Sequence, residues 1–153
     1  MVMTITRRSM LTLSVGAAIG VVAGVRSGPA AASAEDAMAK VMEFAGGSEP
    51  ATGTITLDAP EIAENGNTVP ISVSVESPMT DGDYVESVAI FADGNPSPEV
   101  ITFNFTPMSG EASATTRMRL AKTQNVIAVA KTSTGQVFMD KKEVKVTIGG
   151  CGG

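Results

Sequence analysis

Two periodicities divide the chain. Between Glu35 and Ala45 the apolar residues Met38, Val41, Met42 and Ala45 recur at helical spacing, and Gly46-Gly47 follow as a stop. The spacing predicts one short amphipathic helix, with Ser33 and Asp36 placed as a capping pair. After Ser48-Glu49-Pro50 the repeat shortens to two, with β-branched residues alternating against polar ones. Strands are predicted over 54–57, over 69–76 with Ile71, Val73 and Val75 on one face, and, after an Asp81-Gly82-Asp83 turn, over 85–92. Residues 100–105 give another strand, with Ile101, Phe103 and Phe105 facing inward, and residues 114–120 set Met118 and Leu120 against outward Arg117 and Arg119. Residues 126–130 are apolar on both faces, which a strand tolerates only if it is central or covered, so a docking partner is expected there. A hairpin at Ser133-Thr134-Gly135 leads to strands over 137–139 and 143–148, the latter with Val144, Val146 and Ile148 on its core face.

About seven short strands joined by Gly, Pro, Asn and Asp turns predict an all-β fold, an immunoglobulin-like β-sandwich with a short N-terminal helix; a barrel is the alternative. The length of 153 residues suits one such domain. The expected organisation is a leader over 1–34, the sandwich over 35–148, and a flexible arm over 149–153.

The first 34 residues lie outside the β pattern. A basic start, an apolar run from Leu11 to Val25 and small residues leading to acid make an export signal, and the run is short and weakly apolar for a membrane span. Arg7 and Arg8, within Thr6-Arg7-Arg8-Ser9-Met10-Leu11, resemble the twin-arginine export motif, and processing is expected to leave Ser33 or Glu35 at the new N-terminus. The expected location is the periplasm. The leader holds 3 of the 11 basic residues and none of the 16 acidic ones, so the processed chain balances 8 against 16, about −8. That charge disfavours nucleic acid and anionic lipid as partners.

The chain has no histidine. This removes Ser-His-Asp and Cys-His nucleophilic arrangements, the usual zinc sites and imidazole proton shuttles. Asp81-Gly82-Asp83 and Asp93-Gly94-Asn95 could offer oxygen ligands to calcium, but their spacing matches no calcium loop and reads as turns. No glycine pattern suited to phosphate lies between a strand and a helix. No metal and no cofactor is therefore expected.

The remaining chemistry sits at the carboxyl end, Ile148-Gly149-Gly150-Cys151-Gly152-Gly153, where the one cysteine of the protein has a pair of glycines on each side. An unpaired thiol in an oxidising compartment is a link to another chain or a working group. The terminal carboxylate, two residues on, opposes its ionisation, and the nearest cations, Lys141, Lys142 and Lys145, lie back on the last strand, so a self-activated nucleophile is not indicated. A carried thiol needs no such activation. Five residues of roughly 3.3 Å each give an extended reach of roughly 16 Å, and Gly149, Gly150, Gly152 and Gly153 keep the arm mobile and thin.

The Gly149–Gly153 tail, the twin-arginine leader and the stretch Pro60-Glu61-Ile62-Ala63-Glu64-Asn65-Gly66-Asn67-Thr68-Val69-Pro70 together closely resemble the SoxY family, the sulfur carriers of periplasmic thiosulfate oxidation. The resemblance implies that Cys151 takes thiosulfate covalently through its sulfane sulfur, in an oxidative conjugation by a haem c enzyme. A hydrolase then releases sulfate, and in some organisms a molybdenum-dependent sulfane dehydrogenase oxidises the remaining sulfur. It also implies a heterodimer with SoxZ, a smaller β-sandwich exported with its partner, and a carrier subunit that is not itself an enzyme. The Asn65-Gly66-Asn67 loop belongs to the resemblance, but read alone it is a turn. Two other readings stay open: a structural intermolecular disulfide through Cys151, and a C-terminal thiocarboxylate on Gly153, against which the export signal and the β pattern speak.

Overall fold

The computed structural model describes residues 33–150. They form one α-helix, α1 (Ala34–Phe44), a 3₁₀ turn at Pro107–Ser109 and eight strands: β1 (Ile55–Asp58), β2 (Ile62–Asn65), β3 (Val69–Val75), β4 (Val85–Ala92), β5 (Glu99–Asn104), β6 (Ala112–Met118), β7 (Gln124–Thr132) and β8 (Val137–Ile148). A three-stranded sheet in the order β1-β3-β6 faces a five-stranded sheet in the order β2-β8-β7-β4-β5. The two sheets do not close on each other, so the architecture is the expected sandwich and not a barrel.

Alternation builds the core. Leu57 from β1, Ile71 and Val73 from β3, Val88 and Ile90 from β4, and Val126 and Ala128 from β7 meet in one buried cluster between the sheets. Pro70, which has no N–H to give, sits where β1 has already ended: β1 pairs only with residues 72–75 of β3. The Leu57 N–H donates to Asp140 Oδ2 at 2.8 Å, so a carboxylate on β8 stands in for a strand neighbour and ties the sheets together.

The two-faced apolar strand has an explanation other than a partner. β7 is the central strand of the wide sheet, and its outer face is roofed by α1. Val41 and Ala45 of the helix pack on Ala89, Phe91, Ile127, Val129 and Val137, and Phe44 meets Phe91 edge to face with centroids 6.2 Å apart. The expectation of a docking face on β7 is corrected accordingly. The helix begins at a complete capping box, with the Asp36 N–H donating to Ser33 Oγ and the Ser33 N–H donating to the Asp36 carboxylate. It ends as expected at Gly46 and Gly47, both with positive φ.

Three further differences concern individual strands. β2 was not anticipated, because four residues with one buried side chain carry no alternation; it forms by pairing in parallel with β8. β8 is one strand of 12 residues, although its polar middle, Asp140–Glu143, reads as a break. β5 keeps the expected inward parity, but it is an edge strand of the wide sheet, and Ile101 remains 37% exposed and Phe103 only half-buried.

Candidate functional site

The leader with Arg7 and Arg8, and Cys151, Gly152 and Gly153, lie outside the described residues. Gly149 and Gly150 lie within them and show how the arm leaves the sandwich.

Three segments distant in sequence meet at that point through main-chain atoms alone. The Gly66 N–H donates to the Ile148 carbonyl at 2.7 Å, the Leu120 N–H donates to the Gly66 carbonyl at 2.8 Å, and the Gly150 N–H donates to the Leu120 carbonyl at 2.9 Å. The three bonds close a ring, or collar, at the root of the arm. Asn65 shapes its first side by accepting the Asn67 N–H on its side-chain oxygen at 2.9 Å, an Asx turn.

Glycine is required in this ring for space. A Cβ on Gly66 would collide with the Leu120 carbonyl oxygen and come within 2.7 Å of the Gly150 nitrogen; one on Gly149 would collide with the Ala121 carbonyl oxygen; one on Gly150 would lie 2.7 Å from the Gly66 carbonyl oxygen. Gly150 is buried. At Gly149 and Gly150 close packing of backbones excludes any side chain, a spatial demand for glycine beside the mobility expected of them.

The segment carrying Leu120 is held from behind by two buried amides. Asn95 is 3% exposed and Gln124 is 5% exposed. The Asn95 Nδ2–H donates to the Arg119 carbonyl at 2.8 Å, while its Oδ1 accepts the Ala121 N–H at 3.0 Å and the Gln124 Nε2–H at 2.8 Å. Gln124 Nε2 also donates to the Lys122 carbonyl, and its Oε1 accepts the Gly94 N–H at 2.7 Å. The Val146 N–H donates to Thr123 Oγ1 at 3.0 Å, which joins the same loop to the last strand.

The acidic turn at Asp93 is accounted for within the protein. Both Asp93 carboxylate oxygens are used on Asn125, one by its N–H at 2.8 Å and one by its Nδ2–H at 2.7 Å, and Asn95 points into the collar. Among the described residues no group of acidic or sulfur side chains is placed to hold a metal ion. Two clefts, of about 280 Å³ beside Asp58, Pro60 and Ser72 and about 400 Å³ beside Glu61, Lys141 and Lys145, include no residue of the collar.

Against the family model described as sulfur oxidation protein SoxY, residues 41–151 match, a span that ends on the one cysteine. The chain belongs to the SoxY family. Among solved structures, the sulfur carrier protein SoxY from Chlorobium limicola f thiosulfatophilum is similar at 34% identity, covering 74% of this chain and 99% of that one with a TM-score of 0.59. A superoxide reductase (neelaredoxin) from Ignicoccus hospitalis is similar at 20% identity over 76% of this chain and 94% of its own, TM-score 0.55. A superoxide reductase from Nanoarchaeum equitans matches at 13% identity over 62% and 99%, TM-score 0.50. These last two likenesses are of fold alone. No curated protein matches the sequence.

SoxY membership accounts for the Asn65-Gly66-Asn67 stretch having been legible as a resemblance while its use was not. The collar contains no side-chain signature, and its partners are 54 and 84 positions from Gly66.

Proposed function

We propose that this chain is a sulfur-oxidation carrier that holds thiosulfate-derived groups on Cys151 and presents them in turn to separate exported enzymes. The observation that carries this reading is the extent of the SoxY match, which runs to Cys151 and includes the glycines before it. The similar Chlorobium protein, described as a sulfur carrier, supports it. In the loading step the Cys151 thiolate and the outer sulfur of thiosulfate join through a new S–S bond, and two electrons leave to a haem c enzyme. Hydrolysis of the S–SO₃ bond then adds water, releases sulfate and protons, and leaves Cys151 as a persulfide. Both steps belong in this reading to the partner enzymes, and the chain is their carrier; its likeness to a sulfur carrier supports that division.

The twin-arginine leader supports export to the periplasm together with a folded partner, for which a SoxZ-like sandwich is the candidate. Incubation of the processed chain with thiosulfate and its conjugating enzyme is expected to raise the intact mass by S plus SO₃, reversed by a thiol reductant. The Cys151→Ser variant is expected to fold and to gain nothing; an adduct retained by that variant refutes the assignment. A non-reducing gel addresses the structural disulfide: dimers in the gel together with full sulfur-oxidising activity of Cys151→Ala would favour that reading instead.

A further inference from the structure

The arm does not begin where the strand ends. We propose that the loops at 65–67 and 119–122 form a collar that pins the arm at Gly150, so that Cys151 swings from a fixed pivot instead of trailing on a five-residue tether. The proposal deepens the carrier reading and rests on it for its functional consequence, while its geometry stands on the described residues.

Two independent features carry it. The first is the ring of three main-chain hydrogen bonds joining Ile148, Gly66, Leu120 and Gly150, with no room for a Cβ at Gly66, Gly149 or Gly150. A tail that only needed freedom would have no use for a buried, bonded Gly150. The second is the polar scaffold behind the ring. Buried amides are costly unless every donor and acceptor is met. Asn95 and Gln124 meet theirs by spending them on the Arg119 carbonyl, the Ala121 N–H, the Lys122 carbonyl, the Gly94 N–H and each other, which fixes the loop that offers Leu120 to the arm. Gly66 is thus a positioning residue, and Asn95 and Gln124 position it at one remove through Leu120.

The consequence for delivery is a short reach. With Gly150 held, the Cα of Cys151 lies one peptide unit, about 3.8 Å, from the anchor. With Gly149 and Gly150 free, the same atom could lie roughly 10 Å from Ile148. An enzyme that takes the sulfur must therefore accept the collar itself at the mouth of its cleft, and the rim residues Asn65, Asn67 and Lys122, all exposed, become part of what each enzyme meets.

Amide hydrogen exchange on the intact processed chain tests the pivot without any substitution. The Gly150 N–H is expected to exchange slower than in the free peptide Gly-Gly-Cys-Gly-Gly by on the order of a hundredfold. Exchange at the peptide's rate overturns the proposal. A nitroxide on Cys151 gives the second measurement: its spectrum is expected to be restricted in the parent and to approach that of the labelled pentapeptide in Gly66→Ala and Asn95→Ala, with circular dichroism confirming that each variant folds. A parent spectrum already equal to the peptide's also overturns it. In the folded variants the conjugating enzyme's kcat/KM should fall while alkylation of Cys151 by a small reagent is unchanged or faster; equal losses in both would mark a merely structural role. The outcome is separable from the carrier reading, because exchange and spin mobility report the collar whether or not a sulfur adduct forms.

Discussion

Asn95 shows how much a single side chain can hold. It is buried, and it serves two backbone groups and one side-chain amide on the loop that carries Leu120. Asn95→Ala leaves the part-buried Arg119 carbonyl and Ala121 N–H and one buried Gln124 N–H without this partner, so a loss of about 2–3 kcal/mol is expected, measured by urea denaturation. At this scale the sequence singles out Cys151 for proposal, as a lone thiol among glycines, and gives no signal for Asn95. Asp93-Gly94-Asn95 looks like any turn, and what distinguishes Asn95 is its burial, which depends on loops far away in the chain. Gly66, Gly149 and Gly150 were legible as glycines but not in their purpose: the same letter serves for freedom and for close approach.

Among the elements, α1 stands out because it converts an apparent binding face into an interior one. Its anticipated boundaries, cap and stop agree with the structure, since periodicity and capping chemistry are local. Which sheet face it covers is not local, and that is why β7 invited the expectation of a partner. Phe91, 1% exposed, lies under the helix, and Phe91→Ala is expected to cost about 3–5 kcal/mol in thermal or urea unfolding. The cap adds a pH dependence. The Ser33 N–H, and then its hydroxyl, hold the Asp36 carboxyl below the usual aspartate range. A carboxyl lowered by folding contributes in full above its unfolded value and loses that contribution as pH falls through the lower folded value. Acid should therefore loosen α1 first, seen as helical circular dichroism falling at low pH in the parent, with Asp36→Asn removing that phase.

Over the whole molecule, the sandwich was readable because most strands alternate and are separated by turn residues. What escaped was set by neighbours: β2 exists through its pairing with β8, and β5 is only partly covered as an edge strand of the wide sheet. The proposed removal of the leader would bear on the domain through its helix, since a chain beginning at Ser33 would retain the capping box and one beginning at Glu35 would lose it. The longer form is expected to have the higher Tm by scanning calorimetry at neutral pH; equal values would mean that the box adds nothing measurable to the domain.

The ring at the arm's root uses only main-chain atoms, and this gives protein engineers a clean place to cut and splice. Spacer residues inserted between Gly150 and Cys151 would lengthen the throw of the sulfur while leaving the fastening untouched, whereas the same spacer placed ahead of Gly149 would pull the amide of Gly150 away from Leu120. Two chains of identical composition would then differ in whether the thiol is aimed, which makes the order of a few small residues a dial for how far cargo can travel.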